Sequence, residues 1–447
     1  MPSSPTELIK RQSHSQRQAL TEEMHGRQFP AFVAPARVLQ LVILISEAEA
    51  EASRHHARAL CEAFGASSPV VGRYTSVALG DRRFFWEQHS EFATYTLIVP
   101  GAFADPFSEP LHSVLPVAWL AELPGPILRA TQIALLSRSS PEPASHELDL
   151  WFRPDELVSC DVLGGEARIW SNYRVHEDGL GRLLIRDRSL TGDGDPSRLV
   201  QRLQELGNYR NAALLGLPVA QRLTPSLSQL ERRLAALSAE IARGGARDEV
   251  LMYQLSFLSA ELAGLTAETS YRMSASKAYA QIVSDRLRDL GIVRVPGFQT
   301  LSDFTERRLT PAIRTCQSFS QRCEELSARA AWASSLLRAR IETALERQNG
   351  DLLASMNRRA HLQLRLQQTV EGLSVIAISY YAVGVLGYCA KATAHFLPGF
   401  DPNIALGVLA LPIVVAVWLL MRRLHRSLET SASQPGPGEP TGGVSDA

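Results

Sequence analysis

Apolar and polar positions follow three different rhythms along this chain, and each rhythm marks a different region. The first is strand-like. Ala36–Ser46 (ARVLQLVILIS) is an almost unbroken apolar run, which predicts a strand buried on both faces. Glu47–Phe64 is charged and alanine-rich and stops at Gly65, as a helix would. Val70–Leu79 and Arg83–Val99 read as strands joined at Gly80-Asp81. Leu111–Leu123 predicts a helix broken by Pro124-Gly125-Pro126, and Ile127–Leu136 is a further apolar run. His146–Phe152 alternates like a half-buried strand. Three short strands follow, Leu157–Leu163, Ala167–His176 and Arg182–Asp187, with turns at Gly164-Gly165 and Asp178-Gly179.

The second rhythm begins after Thr191-Gly192-Asp193-Gly194, where Asp195 offers a helix cap and Pro196 suits a first helical turn. Leu227, Leu230, Leu234, Leu237 and Ile241 step by three and four, and so do Leu251, Leu255, Leu258, Leu262 and Leu265. A third helix starts near Thr300 and carries Cys316, Phe319, Cys323, Leu326, Ala330, Ala333 and Leu337 in the same rhythm. Such seams predict long helices packed as a bundle or coiled coil. Toward Gln368 the seam turns to amides: Gln348, Asn349, Asn357, Gln363 and Gln367. These amides either hydrogen-bond between copies, line a wet channel, or form a solvated face.

The third rhythm is none at all. Gly372–Ala390 and Ile404–Met421 carry no charged residue. At 1.5 Å per residue each reaches roughly 27–29 Å, close to the ~30 Å hydrocarbon core of a bilayer. Two buried helices of a soluble core are the alternative, but such helices rarely run this far without a charge. Arg358, Arg359 and Arg365 precede the first span, and Arg422, Arg423 and Arg426 follow the second. The segment between holds only Lys391, His395 and Asp401. Basic residues stay inside, so this predicts a C-terminal transmembrane hairpin with both termini cytoplasmic. Trp418 suits an interface anchor.

The fold class expected is therefore α+β. It comprises a cytoplasmic α/β domain at 1–190, a long-helix bundle or stalk at 195–371, a hairpin at 372–421 (spans 372–390 and 404–421), and a disordered Gly/Pro/Ser-rich tail at 431–447.

Composition trims the functional classes. The 46 Lys+Arg balance the 46 Asp+Glu, which disfavours a general nucleic-acid binder. Cys61, Cys160, Cys316, Cys323 and Cys389 show no metal-finger spacing and read as small buried residues in a reducing compartment. The first twenty residues lack the apolar core of a secretory signal.

Candidate chemistry is sparse. Glu87, His89 and Glu91 alternate, so on one strand all three would project from one face. Two carboxylates around an imidazole could bind a divalent cation; the alternative is the wet or salt-bridged face of a sheet. His25 and Arg27 could complete such a site. His55-His56 point about 100° apart on a helix and read as surface residues. Neither Gly164-Gly165 nor Gly192-Asp193-Gly194 forms a phosphate loop, and no hydrolase, metalloprotease or EF-hand motif occurs. No catalytic residue and no cofactor is expected. In the first span, Gly384 and Gly387 would let another helix approach, and Tyr380, Tyr381 and Tyr388 supply the polar atoms.

Four stretches carry a resemblance. Leu364–Val375 (LRLQQTVEGLSV) with Tyr380-Tyr381, Asp195–Leu203 (DPSRLVQRL), Arg307–Ala312 (RRLTPA) and Glu87–Phe92 (EQHSEF) resemble the bacterial membrane-anchored family called domain of unknown function 3422. The resemblance implies an inner-membrane protein and no catalytic residues. The layout, though not the sequence, is similar to CorA-type metal-ion channels. Those channels place Gly-Met-Asn after their first membrane helix, whereas Lys391–Asn403 here reads KATAHFLPGFDPN.

The expected function is an inner-membrane protein with a large cytoplasmic sensor or scaffold region, non-enzymatic, with a CorA-like divalent-cation channel as the competing class. An unpaired polar group is costly in hydrocarbon. The tyrosine hydroxyls and the amide seam from Gln348 to Tyr388 therefore predict a homo-oligomer; the alternative is a monomer whose hydroxyls reach the interface or backbone carbonyls. Neither the small-molecule or ion ligand nor any partner is named by the sequence.

Overall fold

β1 (Ala36–Leu44) lies inside the nine-stranded sheet of the described residues, between β4 and β5, and explains its own composition. Val38 and Val42 are dry on one face, Leu39, Leu41 and Ile43 on the other. A strand covered on both sides has no use for polar alternation. The computed structural model describes residues 4–18, 20–21, 29–66, 72–190, 195–244, 247–393 and 402–432.

In chain order, helix α1 (Pro5–Gln12) precedes β1, and α2 (Ala50–Ala63) follows it. Next come β2 (Tyr74–Leu79), β3 (Arg82–Gln88), β4 (Phe92–Pro100), α3 (Val117–Ala121), β5 (Ile127–Leu136) and α4 (Ser145–Trp151). The sheet is completed by β6 (Val158–Val162), β7 (Ala167–Ser171), β8 (Gly181–Asp187) and, much later, β9 (Val293–Arg294). The strand order is β2-β3-β4-β1-β5-β8-β7-β6-β9, and β5–β8 is its parallel pair. Between β8 and β9 lie α5 (Asp195–Leu214), α6 (Gly216–Arg243) and α7 (Asp248–Asp289). After β9 come α8 (Leu301–Thr393) and α9 (Pro402–Ala432).

One face of the sheet packs on α2 and α3. Leu39, Leu41, Trp86, Tyr95 and Leu97 meet Ala57, Leu60, Cys61 and Trp119 there. The other face packs on the later helices. Val38, Ile98, Ile133, Ile169 and Ile185 share a core with Leu199, Leu203, Leu206, Val283, Leu287, Leu301 and Ile313. Beyond it, Leu227, Leu230, Leu234, Leu251, Leu255, Leu258, Phe319, Cys323, Leu326 and Leu337 form a buried helical seam. Arg322 ties α8 to Glu231 (2.7 Å) and Ser228 (2.8 Å) of α6. Gly216 is needed at the crossing: a Cβ there would lie 2.4 Å from Ser276 Oγ and 3.2 Å from Cys316 Sγ.

Several expectations need correction. His146–Phe152 is not a strand. Its Leu148 and Phe152 also stand four apart, and Glu147 accepts the Ala144 N–H (2.8 Å), which closes a helical start. Arg83–Val99 is two strands, because His89 N–H donates to Phe92 O (2.8 Å) and turns the chain. Leu111–Leu123 splits into a 3₁₀ turn at Leu111–Val114 and the short α3, with Pro116 between them. His56 is buried between Tyr95 and Trp119, with ring centroids 5.6 and 4.2 Å away. Cys61, Cys160, Cys316 and Cys323 are buried as expected, whereas Cys389 is exposed. The 191–194 turn lies outside the described residues, as do His25, Arg27 and all of the 431–447 tail except the last two residues of α9.

The chain divides into two compact units, 1–337 and 338–447. Helix α8 contributes to both and continues through Gly350 without a break. Within the second unit the apolar residues point outward. Leu373, Ile376, Tyr380, Tyr381, Val385 and Tyr388 are exposed, while Ser379 and Gly387 are buried. Gly384 is exposed. Among the described residues, two helices carry an 18-residue stretch apolar enough to cross a membrane: Asp248–Asp289, and α8 over Leu301–Cys389. The first of these holds part of the buried seam of the larger unit.

Candidate functional site

The larger unit contains a cavity of about 290 Å³ at the start of the parallel β5–β8 pair, roofed by α5. Arg129 enters it from β5. The pairing of Arg129 with Val42 places it on the helix-covered face of the sheet, where a charge is costly. Two neutral acceptors hold it. Arg129 Nη1 donates to Gln40 Oε1 (3.0 Å) and to Asn208 Oδ1 (2.9 Å). Gln40 is itself fixed by donating from Nε2 to Thr96 Oγ1 (3.3 Å). The guanidinium lies flat along α5 because residue 207 is glycine. A Cβ there would stand 2.7 Å from Arg129 Cζ.

Arg210, one turn further along α5, lines the same cavity. Its guanidinium sits 4.5 Å from the ring centre of Tyr173 and 5.8 Å from that of Phe304. The two rings stack at 4.7 Å, and Arg308 lies over Phe304 at 4.4 Å. Tyr173 has φ +52°, a left-handed backbone that a bulky residue seldom adopts. Its N–H donates to Ser171 Oγ (3.1 Å), whose hydroxyl donates to Arg182 O (2.7 Å), and this fixes the turn.

The electrostatics follow from burial. Both arginine side chains are half-buried, since the cavity opens to water, but protein surrounds the guanidinium groups. Desolvation, then repulsion from Arg210, brings Arg129 down to about 9. Desolvation lowers Arg210 as well. At neutral pH both remain cations. The rim differs: Arg174 is held by Glu156, and Arg182 by Asp178 (3.0 Å).

The residues singled out by sequence lie elsewhere. Glu87 is the last residue but one of β3, and its Oε2 is 3.5 Å from His89 Nε2. The His89 ring stacks on Phe92 at 4.3 Å. Glu91 bends away and pairs with Arg272 of α7. The turn at 89–91 thus brings Glu87 and His89 together and sends Glu91 elsewhere. Among the described residues, no three His, Cys, Asp or Glu side chains stand close enough to hold a metal ion. Sequence reasoning missed Gln40, Arg129, Tyr173, Asn208 and Arg210. The available signal was a polar residue inside each of two apolar strands, Gln40 in ARVLQLVIL and Arg129 in ILRATQIALL.

A family model described as protein of unknown function, DUF3422, matches residues 12–428. The chain belongs to the DUF3422 family. The match takes in all four stretches on which the resemblance rested, and no activity comes with it. No curated protein and no solved structure matches this DUF3422 chain.

Proposed function

We propose that this DUF3422 protein is a membrane-anchored sensor or scaffold, with 372–390 and 404–421 as a transmembrane hairpin of the inner membrane and both termini in the cytoplasm. The observation that carries the reading is the outward apolar face of α8: of its most apolar 18-residue window only 6% is buried. In water such a surface would be costly, at about 25 cal/mol per Å². In lipid it is the ordinary lining of a spanning helix. The small residues Ser379 and Gly387 lie on the covered side, as they do where membrane helices pack. The exposed side chains of Tyr380, Tyr381 and Tyr388 support self-association through this segment.

Reporter fusions test it. One placed after Ala447 should read cytoplasmic and one near Pro398 periplasmic. A cytoplasmic signal at Pro398 would remove the hairpin. Mass measurement in mild detergent should find more than one copy, and a monomer across detergents and nanodiscs would end the self-association part.

A further inference from the structure

We propose that the cavity between Arg129 and Arg210 binds a small dianion, either a phosphate monoester or a dicarboxylate. The inference stands on the larger unit alone and holds whether or not the hairpin crosses a bilayer.

The first argument is charge. Buried charges are normally paired, because an uncompensated one costs several kcal/mol. Four arginines line this cavity, and no Asp or Glu does. Arg174 and Arg182 have carboxylate partners outside it. Among the described residues Arg129 and Arg210 have none, and each raises the cost of the other. Two positive charges remain in one space, which a dianion would neutralise.

The second argument is unused donors. A guanidinium carries five N–H groups. Arg129 gives Nη1 to Gln40 and Asn208 and keeps Nε and Nη2. Arg129 lines the cavity, and neither atom has a hydrogen-bond partner among the described residues. They are the edge that binds an oxyanion in bidentate fashion. Arg210 makes no side-chain hydrogen bond among the described residues; it is held by ring faces and keeps its whole fork. The Tyr173 hydroxyl also has no partner among them, and the residue lines the cavity.

The third argument is preorganisation and size. Gln40, Asn208 and Gly207 fix Arg129, while the strained Tyr173 and stacked Phe304 fix Arg210. Held this way before any ligand arrives, the two forks avoid an ordering cost on binding. About 290 Å³ admits a small metabolite, and Leu128, Leu183, Leu203 and Leu206 give it an apolar wall.

The test is thermal unfolding and titration calorimetry of the full chain in detergent, with inorganic phosphate, succinate and chloride at matched ionic strength. Phosphate or succinate should raise the midpoint above chloride. Arg129→Gln and Arg210→Gln should each weaken that binding about 10- to 100-fold, and together abolish it. Without anion Arg210→Gln should be at least as stable as the parent, since one of two repelling cations is gone, whereas Arg129→Gln also leaves the Gln40 and Asn208 acceptors unpaired; a purely structural Arg210 would give a loss of stability instead. A response to phosphate alone assigns the phosphate ester, and one to succinate alone the dicarboxylate. Should Arg129→Gln fail to fold, Arg210→Gln and Tyr173→Phe decide, the latter keeping the ring stack and losing only the hydroxyl. No response beyond chloride, or a response that survives in the foldable variants, would overturn the proposal.

Discussion

Arg272, halfway along α7, reaches back to Glu91 at the β3–β4 turn: its Nη1 lies 3.1 Å from Oε2, and its Nη2 bonds the other carboxylate oxygen. The carboxylate is buried, with a side-chain exposure of 8%. A two-point bond of this kind fixes the turn against the helix. Breaking it strands a charge. Arg272→Met should cost about 3–5 kcal/mol in urea unfolding. Adding Glu91→Gln should recover most of the loss, because the stranded charge is then gone.

His56 makes stability fall in acid. Burial between Tyr95 and Trp119 lowers it from its ordinary 6.5 to about 4, so the fold favours the neutral ring. Its Nε2 has no hydrogen-bond partner among the described residues, so nothing welcomes a proton. The contribution of the neutral ring is therefore whole above pH 6.5 and is lost as pH falls toward 4. The whole effect is at most about 3 kcal/mol. Unfolding midpoints of His56→Phe should show a flatter slope than the parent across that window.

Gly207→Ala separates stability from binding. The new methyl would meet Arg129 at Cζ, Nε and Nη2, within 2.7–2.9 Å. A side-chain end can move aside, and alanine favours the helix by up to about 1 kcal/mol. The midpoint without anion should therefore change little. The response to phosphate or succinate should weaken, since the displaced atoms are the proposed donors.

Four thiols should resist labelling. Burial raises Cys61, Cys160, Cys316 and Cys323, with Cys160 brought to about 11. The thiolate is the reactive form. Peptide mapping after brief maleimide treatment should find these four unmodified in native protein and modified in urea.

What the sequence disclosed depended on distance along the chain. Asp195 opens a helix as read, and the turns at Gly80-Asp81 and Asp178-Gly179 are local events that a few residues decide. The seam Leu227–Ile241 is periodic and needed no partner to be seen. His146–Phe152 was misread because Leu148, Leu150 and Phe152 fit a period of two while Leu148 and Phe152 fit a helix equally well. The cavity was invisible for a different reason. Gln40, Arg129, Tyr173 and Arg210 come from two strands, a loop and a helix, and only the strand pairing assembles them. Glu87 and His89 drew attention because alternation is easy to see, yet a single turn separates Glu91 from them.

The last strand of the sheet, β9, pairs with β6 through Arg294 and Val293, although β6 ends at Val162. Synthesis gives this separation a meaning. While the chain emerges, the edge of β6 and the face meant for α5, α7 and α8 stay bare until residue 313 has been made. Roughly eighty residues then separate β9 from the first uncharged span, so the sheet can close before the apolar helix leaves the ribosome. A truncation near residue 190 would halt the chain at its stickiest moment. Any version of this protein that omits its apolar C-terminal segments should instead be cut beyond Leu337, where the larger unit is whole.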